Sequence, residues 1–246
     1  MQKWLILLIT WSIGAAAEEP DWRLYGELLQ QYVVEGEINQ IATNLVDYPA
    51  LSEDPRFHQV VKDIRGFDVS QLEGKAEELA FYINAYNLLT LQLIIDHWPV
   101  KSIRDIGGFF KGPWDIIMLE NAAGRLTLDD IEHGIIRRHG EPRIHFAVNC
   151  ASLSCPDLRR EPYQAALLDD QLADQTRRFL LNTRKGARLD GNRLHVSKLF
   201  DWYSEDFEAS GGVGPFIRQQ LGPATGQVIF TEVRPDLRYS WRLNSQ

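Results

Sequence analysis

Apolar residues recur along this chain with two periods, near 3.6 and near 2, and the switches between them mark its elements. Asp21 to Val34 sets Leu24, Leu28, Leu29 and Tyr32 at helical spacing and predicts an amphipathic helix. Pro55 to Ile64 predicts a short helix. Lys75 to Trp98 carries the strongest helical pattern and is stopped by Pro99. It is apolar almost all the way round, which predicts a helix buried at the centre of the protein. Thr127 to Arg138 predicts a further helix, with Thr127 or Asp129 near its N-cap and Arg137-Arg138 suiting its C-terminal end. Gln164 to Leu181 predicts the last long one.

The strand signals are shorter. Arg143 to Asn149 is apolar on both faces and predicts a central strand. Arg188 to Val196 predicts a hairpin turned at Asp190-Gly191, and Val228 to Thr231 a short strand. Ile41 to Tyr48 fits either period, and Gly107 to Gly112 reads as a loop presenting Phe109 and Phe110. Together these predict an α+β fold, with a buried central helix packed on a mostly antiparallel sheet and surrounded by other helices.

Composition narrows the function classes. Of 246 residues, 44% are hydrophobic and 24% charged, which excludes a disordered chain, a coiled coil and a collagen-like repeat. The net charge of −8 lacks the basic footprint of a nucleic-acid binder. The first residues read Met-Gln-Lys-Trp, then an apolar run from Leu5 to Ile13, then Gly14-Ala15-Ala16-Ala17. A positive start, a short apolar run and an Ala-x-Ala ending are the parts of a secretory signal peptide. Cleavage after Ala17 leaves residues 18–246 as one predicted globular domain, exported to the periplasm or medium with no stable membrane anchor. Its two cysteines then face an oxidising compartment.

Polar residues on apolar stretches are the candidates for chemistry. Asn84 and Asn87 share a face of the central helix with Ala80, Ile83, Leu91 and Ile94. They either pin that helix to neighbouring backbone or line a site as amide donors. On the Thr127 to Arg138 helix, Glu132 falls beside Leu128, Ile131, Ile135 and His139, while His133 falls off that stripe. Glu132 there either closes a buried ion pair with an arginine or orients an imidazole. His145 lies on the predicted strand, which leads into Asn149-Cys150-Ala151-Ser152-Leu153-Ser154-Cys155-Pro156. Small residues, two hydroxyls and two thiols in one loop make this the densest reactive cluster of the chain.

A thiol nucleophile needs a base within reach and a group that holds the base. Cys150 as nucleophile, His145 as base and Glu132 as orienter meet that need. Asn84, Asn87, Asn149, Ser152 and Ser154 are expected to line the site. An unbroken strand would set His145 and Cys150 on opposite faces, so the arrangement requires the chain to turn after about Val148. Cys155, His133 and His195 are the substitutes. The competing expectation is a Cys150–Cys155 disulfide, with the polar groups satisfied structurally. No cofactor or metal is expected, since His133, His139 and His145 at six-residue spacing match no compact ligand motif. Ser152 and Ser154 lack the Gly-x-Ser-x-Gly elbow of a serine hydrolase.

Four runs in this order carry a family resemblance: Ala80 to Asn87, Leu128 to Gly134, His145 to Pro156, and Ser197 to Phe207. Over roughly Tyr25 to Phe207 the chain resembles the family catalogued as domain of unknown function 547. The resemblance implies an α+β fold similar to the cysteine-protease and transglutaminase architecture. In that architecture the nucleophile usually starts the central helix, where this chain has Glu77, Glu78 and Leu79 and no cysteine. Either the nucleophile has moved to Cys150, or the fold has lost catalysis. Two functions follow as expectations. One is an exported thiol-dependent acyl-transfer hydrolase, of peptidase or amidase type, acting on a small-molecule or peptide ligand. The other is a non-catalytic periplasmic binding or scaffold domain, presenting Phe109, Phe110 and Trp114 as its contact surface.

Overall fold

The computed structural model describes residues 20–108, 111–121, 124–222 and 229–246. The segment 1–17, expected from the sequence to be a signal peptide, and the pair Phe109-Phe110 lie outside the described residues. Helix α1 (Arg23–Tyr32) runs directly into strand β1 (Val33–Ile38), which pairs antiparallel with β2 (Ile41–Val46). The apolar periodicity of the first helix therefore extends two residues past its real end. The stretch that fitted either period is a strand over most of its length. Asn39 and Gln40 turn this hairpin with φ of 54° and 63°, left-handed backbone that suits the twist of a two-residue turn.

Two prolines open the next helices, α2 (Tyr48–Ser52) and α3 (Pro55–Gly66), each behind an aspartate whose side chain accepts a first-turn N–H. Helix α4 (Lys75–Asp96) carries Glu77 and Glu78 in its first turn, where carboxylates complement the helix dipole. Every residue from Leu79 to Ile94 is buried, so the all-round apolar pattern does mark a central helix. This helix is long and apolar enough to cross a membrane, but its surface is taken up inside the protein. Its neighbours are α2, α3, the helical turns at Asp130–His139 and strand β3 (Ile117–Asn121). A leucine-to-alanine change at Leu88 or Leu89 would cost about 2–5 kcal/mol in such surroundings.

The fold is α+β, with its strands divided among small sheets. β3 pairs antiparallel with β4 (Gly124–Thr127). Helix α5 (Leu168–Leu181) follows a short 3-10 turn and matches the predicted helix closely. The hairpin of β5 (Ala187–Asp190) and β6 (Arg193–Val196) turns at Gly191-Asn192, one residue later than expected. After α6 (Leu199–Trp202), a 3-10 turn at Ser204–Ser210 and α7 (Val213–Leu221), strand β7 (Glu232–Arg234) joins β6 in parallel. The strand expected at Val228 to Thr231 forms instead at Glu232–Arg234, immediately after Thr231; Val228 lies outside the described residues. One apolar cluster gathers around α4, and a second gathers Phe146, Phe179, Phe200, Phe207 and Phe216.

Two predicted elements take other forms. Thr127 ends β4, and the helical stretch behind it widens into a π-turn at Asp130–Ile135 before tightening to 3-10 at Ile136–His139. The extra residue in the wide turn shifts the buried stripe, so that Leu128, Ile131, Glu132 and Ile136 face inward and Ile135 is only half-buried. The stretch from Arg143 to Asn149 is not a strand. Pro142–Phe146 is a 3-10 turn, begun by proline and capped by Glu141, whose side chain accepts the Arg143 N–H. Asn87 on α4 then takes the backbone that a neighbouring strand would have taken: it donates to the Ala147 carbonyl at 3.0 Å and accepts the Asn149 N–H at 2.8 Å.

Candidate functional site

The loss of that strand brings the two main candidates together. With no pleat to send alternate residues to opposite faces, His145 and Cys150 both line one cleft of about 410 Å³. Glu132, His133 and Cys155 line it as well. Much of the rest of its wall is aromatic, including Trp114, Trp202, Tyr203, Tyr239 and Trp241. Tyr239 and Trp241 have ring centroids 4.8 Å apart, and Trp202 stacks on Trp241 at 5.8 Å. Trp114, expected as an exposed aromatic, meets Trp241 edge-on at 5.9 Å and is part of this wall.

Three sets of hydrogen bonds shape the loop that carries Cys150. Asn149 donates to the Pro156 carbonyl at 2.7 Å and accepts the Ala151 N–H at 2.9 Å. Ala151 sits at φ 56°, a left-handed conformation unusual for a residue with a Cβ. The segment 240–244 lies alongside the loop: Leu153 N–H donates to the Arg242 carbonyl, Ser154 N–H to the Ser240 carbonyl, and Asn244 N–H to the Ala151 carbonyl. From the far side, the buried Lys185 ammonium donates to the Cys155 carbonyl at 2.9 Å and to Asp157 at 2.6 Å. The next residue, Gly186, lets the backbone pass close to the end of α5, since a Cβ there would fall 1.7 Å from the Phe179 carbonyl oxygen.

Asn84, Asn87, Asn149, Ser152 and Ser154 are therefore scaffold rather than lining. Asn84 holds the Tyr163 backbone by both its carbonyl and its N–H, at 2.8 Å each. Ser154 accepts the Ser240 N–H at 2.8 Å. Ser152 alone of the five reaches the thiol, with its Oγ 3.4 Å from Cys150 Sγ. In the same loop the N–H groups of Ala151, Leu153, Ser154 and Cys155 all donate to protein acceptors and so are not offered to the cleft.

Cys150 and Cys155 are both free thiols, with their sulfurs 2.7 Å apart, against about 2.05 Å in a disulfide. Cys150 Sγ also lies 3.3 Å from the Tyr239 hydroxyl. Burial alone would push the Cys150 thiol up, but its hydrogen bonds with Cys155, Ser152 and Tyr239 outweigh burial and hold it below the ordinary thiol value. Cys155 shows the opposite balance. Burial first, then the hydrogen bond and charge of Cys150, push it well up.

His145 is held by Asp206, not by Glu132. Its Nε2 lies 2.6 Å from Asp206 Oδ2. Arg137 grips the same carboxylate with two N–H donors, at 2.8 and 2.7 Å. That grip is the largest of the causes that keep Asp206 below the usual carboxylate range. Burial lowers His145 below its ordinary value of 6.5, with the Asp206 hydrogen bond opposing. The imidazole is thus neutral near neutral pH. Its Nε2 carries the proton donated to the carboxylate, and Nδ1 is left with a lone pair. Nδ1 is buried and, among the described residues, has no hydrogen-bond partner.

Glu132 acts one residue away. It accepts the Tyr203 hydroxyl at 2.7 Å, and the Tyr203 ring stacks on His145 at 4.0 Å. Arg137 covers that ring, with its guanidinium carbon 5.3 Å from the centroid. Neither expected role of Glu132, arginine pairing or direct contact with an imidazole, is what its hydrogen bond shows. Of the substitutes, Cys155 and His133 share the cleft and His195 does not. His133 bonds Arg137 at 2.8 Å and Asp129 at 3.4 Å on the open side of the cleft. His195 pairs with Asp236 at 2.8 Å and lines a separate, more polar groove. Asp206, Tyr203 and Tyr239 went unassigned in the sequence, although the first two fall inside the run Ser197 to Phe207.

The family comparison bears on the segment that supplies the thiols. The model described as a protein of unknown function, DUF547, matches residues 69–180. That segment belongs to the DUF547 family. The DUF547 segment carries α4, Glu132, His145, Cys150 and Cys155, whereas Tyr203, Asp206 and Tyr239 come from the chain beyond it. No curated protein and no solved structure matches the chain.

Proposed function

We propose that this is an exported thiol-dependent acyl-transfer enzyme, with Cys150 as nucleophile and His145 as acid and base. One observation carries the reading. A thiol held below its ordinary value opens on the same cleft as an imidazole whose Nδ1 has no partner and whose Nε2 is fixed by Asp206. In the reaction, the Cys150 thiolate attacks the carbonyl carbon of an ester or amide. His145 Nδ1, which takes the Cys150 thiol proton as the thiolate attacks, gives that proton to the leaving group; neutral His145 then takes one from the water or amine that releases the acyl group and returns it to Cys150. The aromatic wall suits an apolar acyl or side-chain group. Asp206 fixes the imidazole's tautomer, and Glu132 positions it through Tyr203.

The test is acylation of the reduced protein by p-nitrophenyl esters of short and medium chain length. A burst of nitrophenolate with an acyl adduct on Cys150, located by peptide mass, is expected. Cys150→Ala should abolish both, and His145→Ala should leave the adduct long-lived. Turnover that survives Cys150→Ala would overturn the assignment, as would a folded, reduced protein that forms no adduct. Ester binding without an adduct would instead favour the non-catalytic reading, with the aromatic wall as the contact surface.

A further inference from the structure

In an acyl-transfer site a second thiol touching the nucleophile has no work to do, and Cys155 is such a thiol. Its sulfur is 2.7 Å from Cys150 Sγ and accepts the Cys150 amide N–H at 2.9 Å. The two cysteines are also placed unequally. Cys150 is partly exposed on the cleft, while Cys155 is buried at 3% exposure, with the Val148 carbonyl 3.9 Å away. The loop between them is held from three sides, by Asn149, by the 240–244 segment and by Lys185. The pair is therefore a fixed arrangement of one accessible and one enclosed thiol. We propose that Cys150 and Cys155 act as a dithiol pair that exchanges with small-molecule disulfides entering the aromatic cleft, Cys150 attacking and Cys155 resolving.

The exchange balances in two steps. The Cys150 thiolate attacks one sulfur of a disulfide RS–SR; the Cys150–SR bond forms, the RS–SR bond breaks, and RS⁻ leaves and takes a proton from water. Cys155 then loses its proton to solvent and attacks Cys150 Sγ. The Cys150–Cys155 bond forms and the second RS⁻ departs. The protein dithiol is oxidised and RS–SR is reduced to two thiols. The surroundings favour this order. While Cys150 is a thiolate, its charge and hydrogen bond raise Cys155, so only one thiol is reactive. Once Cys150 is in a mixed disulfide both influences vanish, and burial, which still raises Cys155, is opposed by the nearby Lys185 charge. The first step thereby activates the second.

The chemistry needs no histidine and no acyl donor, so it stands or falls apart from the function proposed above. The test treats the reduced full chain with oxidised glutathione at roughly neutral pH, followed by acid quench, alkylation and peptide mass mapping. The expected product from the wild type is the Cys150–Cys155 disulfide with little glutathione adduct. Cys155→Ser, checked for folding by its melting curve, should trap the adduct on Cys150 at about tenfold or more above the wild-type level. Cys150→Ser should leave Cys155 unmodified. A stable wild-type adduct on Cys150 with Cys155 still free would overturn the proposal, as would first attack by Cys155. Inertness of both thiols in the folded, reduced wild type would do the same, even if esters still acylate Cys150.

Discussion

His145 Nε2 and Asp206 Oδ2 meet at 2.6 Å although 61 positions separate them, and Arg137 clamps the same carboxylate from its other side. Because the carboxylate opposes the effect of burial on the imidazole, removing its charge should lower His145 further. Asp206→Asn is therefore expected to move the ring's NMR titration to lower pH than in the wild type. It should also slow acyl transfer by about 10²–10⁴-fold, the range for a base that loses its orienting carboxylate. An unchanged or raised titration would remove Asp206 from this role.

Stability should follow the same pair through acid. His145 titrates in the folded protein below its unfolded value of about 6.5. Folding therefore favours the neutral ring, and its contribution is full above about pH 6.5 and lost as pH falls from there toward the folded value. Asp206 is also depressed, so its contribution is full above about 3.9 and lost at lower pH still. Urea midpoints should decline below about pH 6.5 in the wild type, and His145→Asn should flatten the upper part of that decline. A decline of equal steepness in the variant would assign it to other groups.

Tyr239 offers a clean handle on the thiol. Its hydroxyl is one of the partners that hold Cys150 below the ordinary thiol value. Tyr239→Phe keeps the ring packed against Trp202 and Trp241 and deletes only the hydroxyl. The pH–rate profile of iodoacetamide alkylation at Cys150 should shift to higher pH, and Ser152→Ala should shift it the same way. Profiles that superimpose on the wild type would show the hydroxyls to be bystanders.

Two buried asparagines, one turn apart on α4, should separate stability from reactivity. Asn87→Ala and Asn84→Ala each orphan a backbone N–H and a carbonyl, at about 1–3 kcal/mol per group. Both should lower the denaturation midpoint. Only Asn87 holds the backbone leading into the Cys150 loop, so only its replacement should also alter the alkylation profile of Cys150. Matching profiles for the two variants would mean that the loop is held without it.

The contrast between these asparagines also shows where reading the sequence stops. Local periodicity sufficed for α4, α5 and the β5–β6 hairpin, whose burial patterns repeat within a few residues. It misled at Arg143 to Asn149, because a run that is apolar on all sides satisfies a buried 3-10 turn as well as a buried strand. In the folded chain the backbone that follows this turn is held by Asn87, some sixty residues upstream. Of the site, the thiols, His145 and Glu132 were legible as reactive groups on apolar ground. Asp206 was not, since a carboxylate in an acidic run reads as solvated surface until Arg137 and His145 fold against it. Tyr239 carried no signal, its contact with Cys150 spanning 89 positions.

That span has a consequence for the growing polypeptide. The segment 239–244 supplies both a hydroxyl to the Cys150 thiol and a backbone ladder to its loop, yet it is synthesised long after the cysteines. Until it emerges and docks, Cys150 lacks the Tyr239 partner and its loop lacks one of its three supports. In a chain still being made, the Cys150 thiol is thus left with Cys155 and Ser152 as the partners that lower it, and the third arrives only with the last residues to be added.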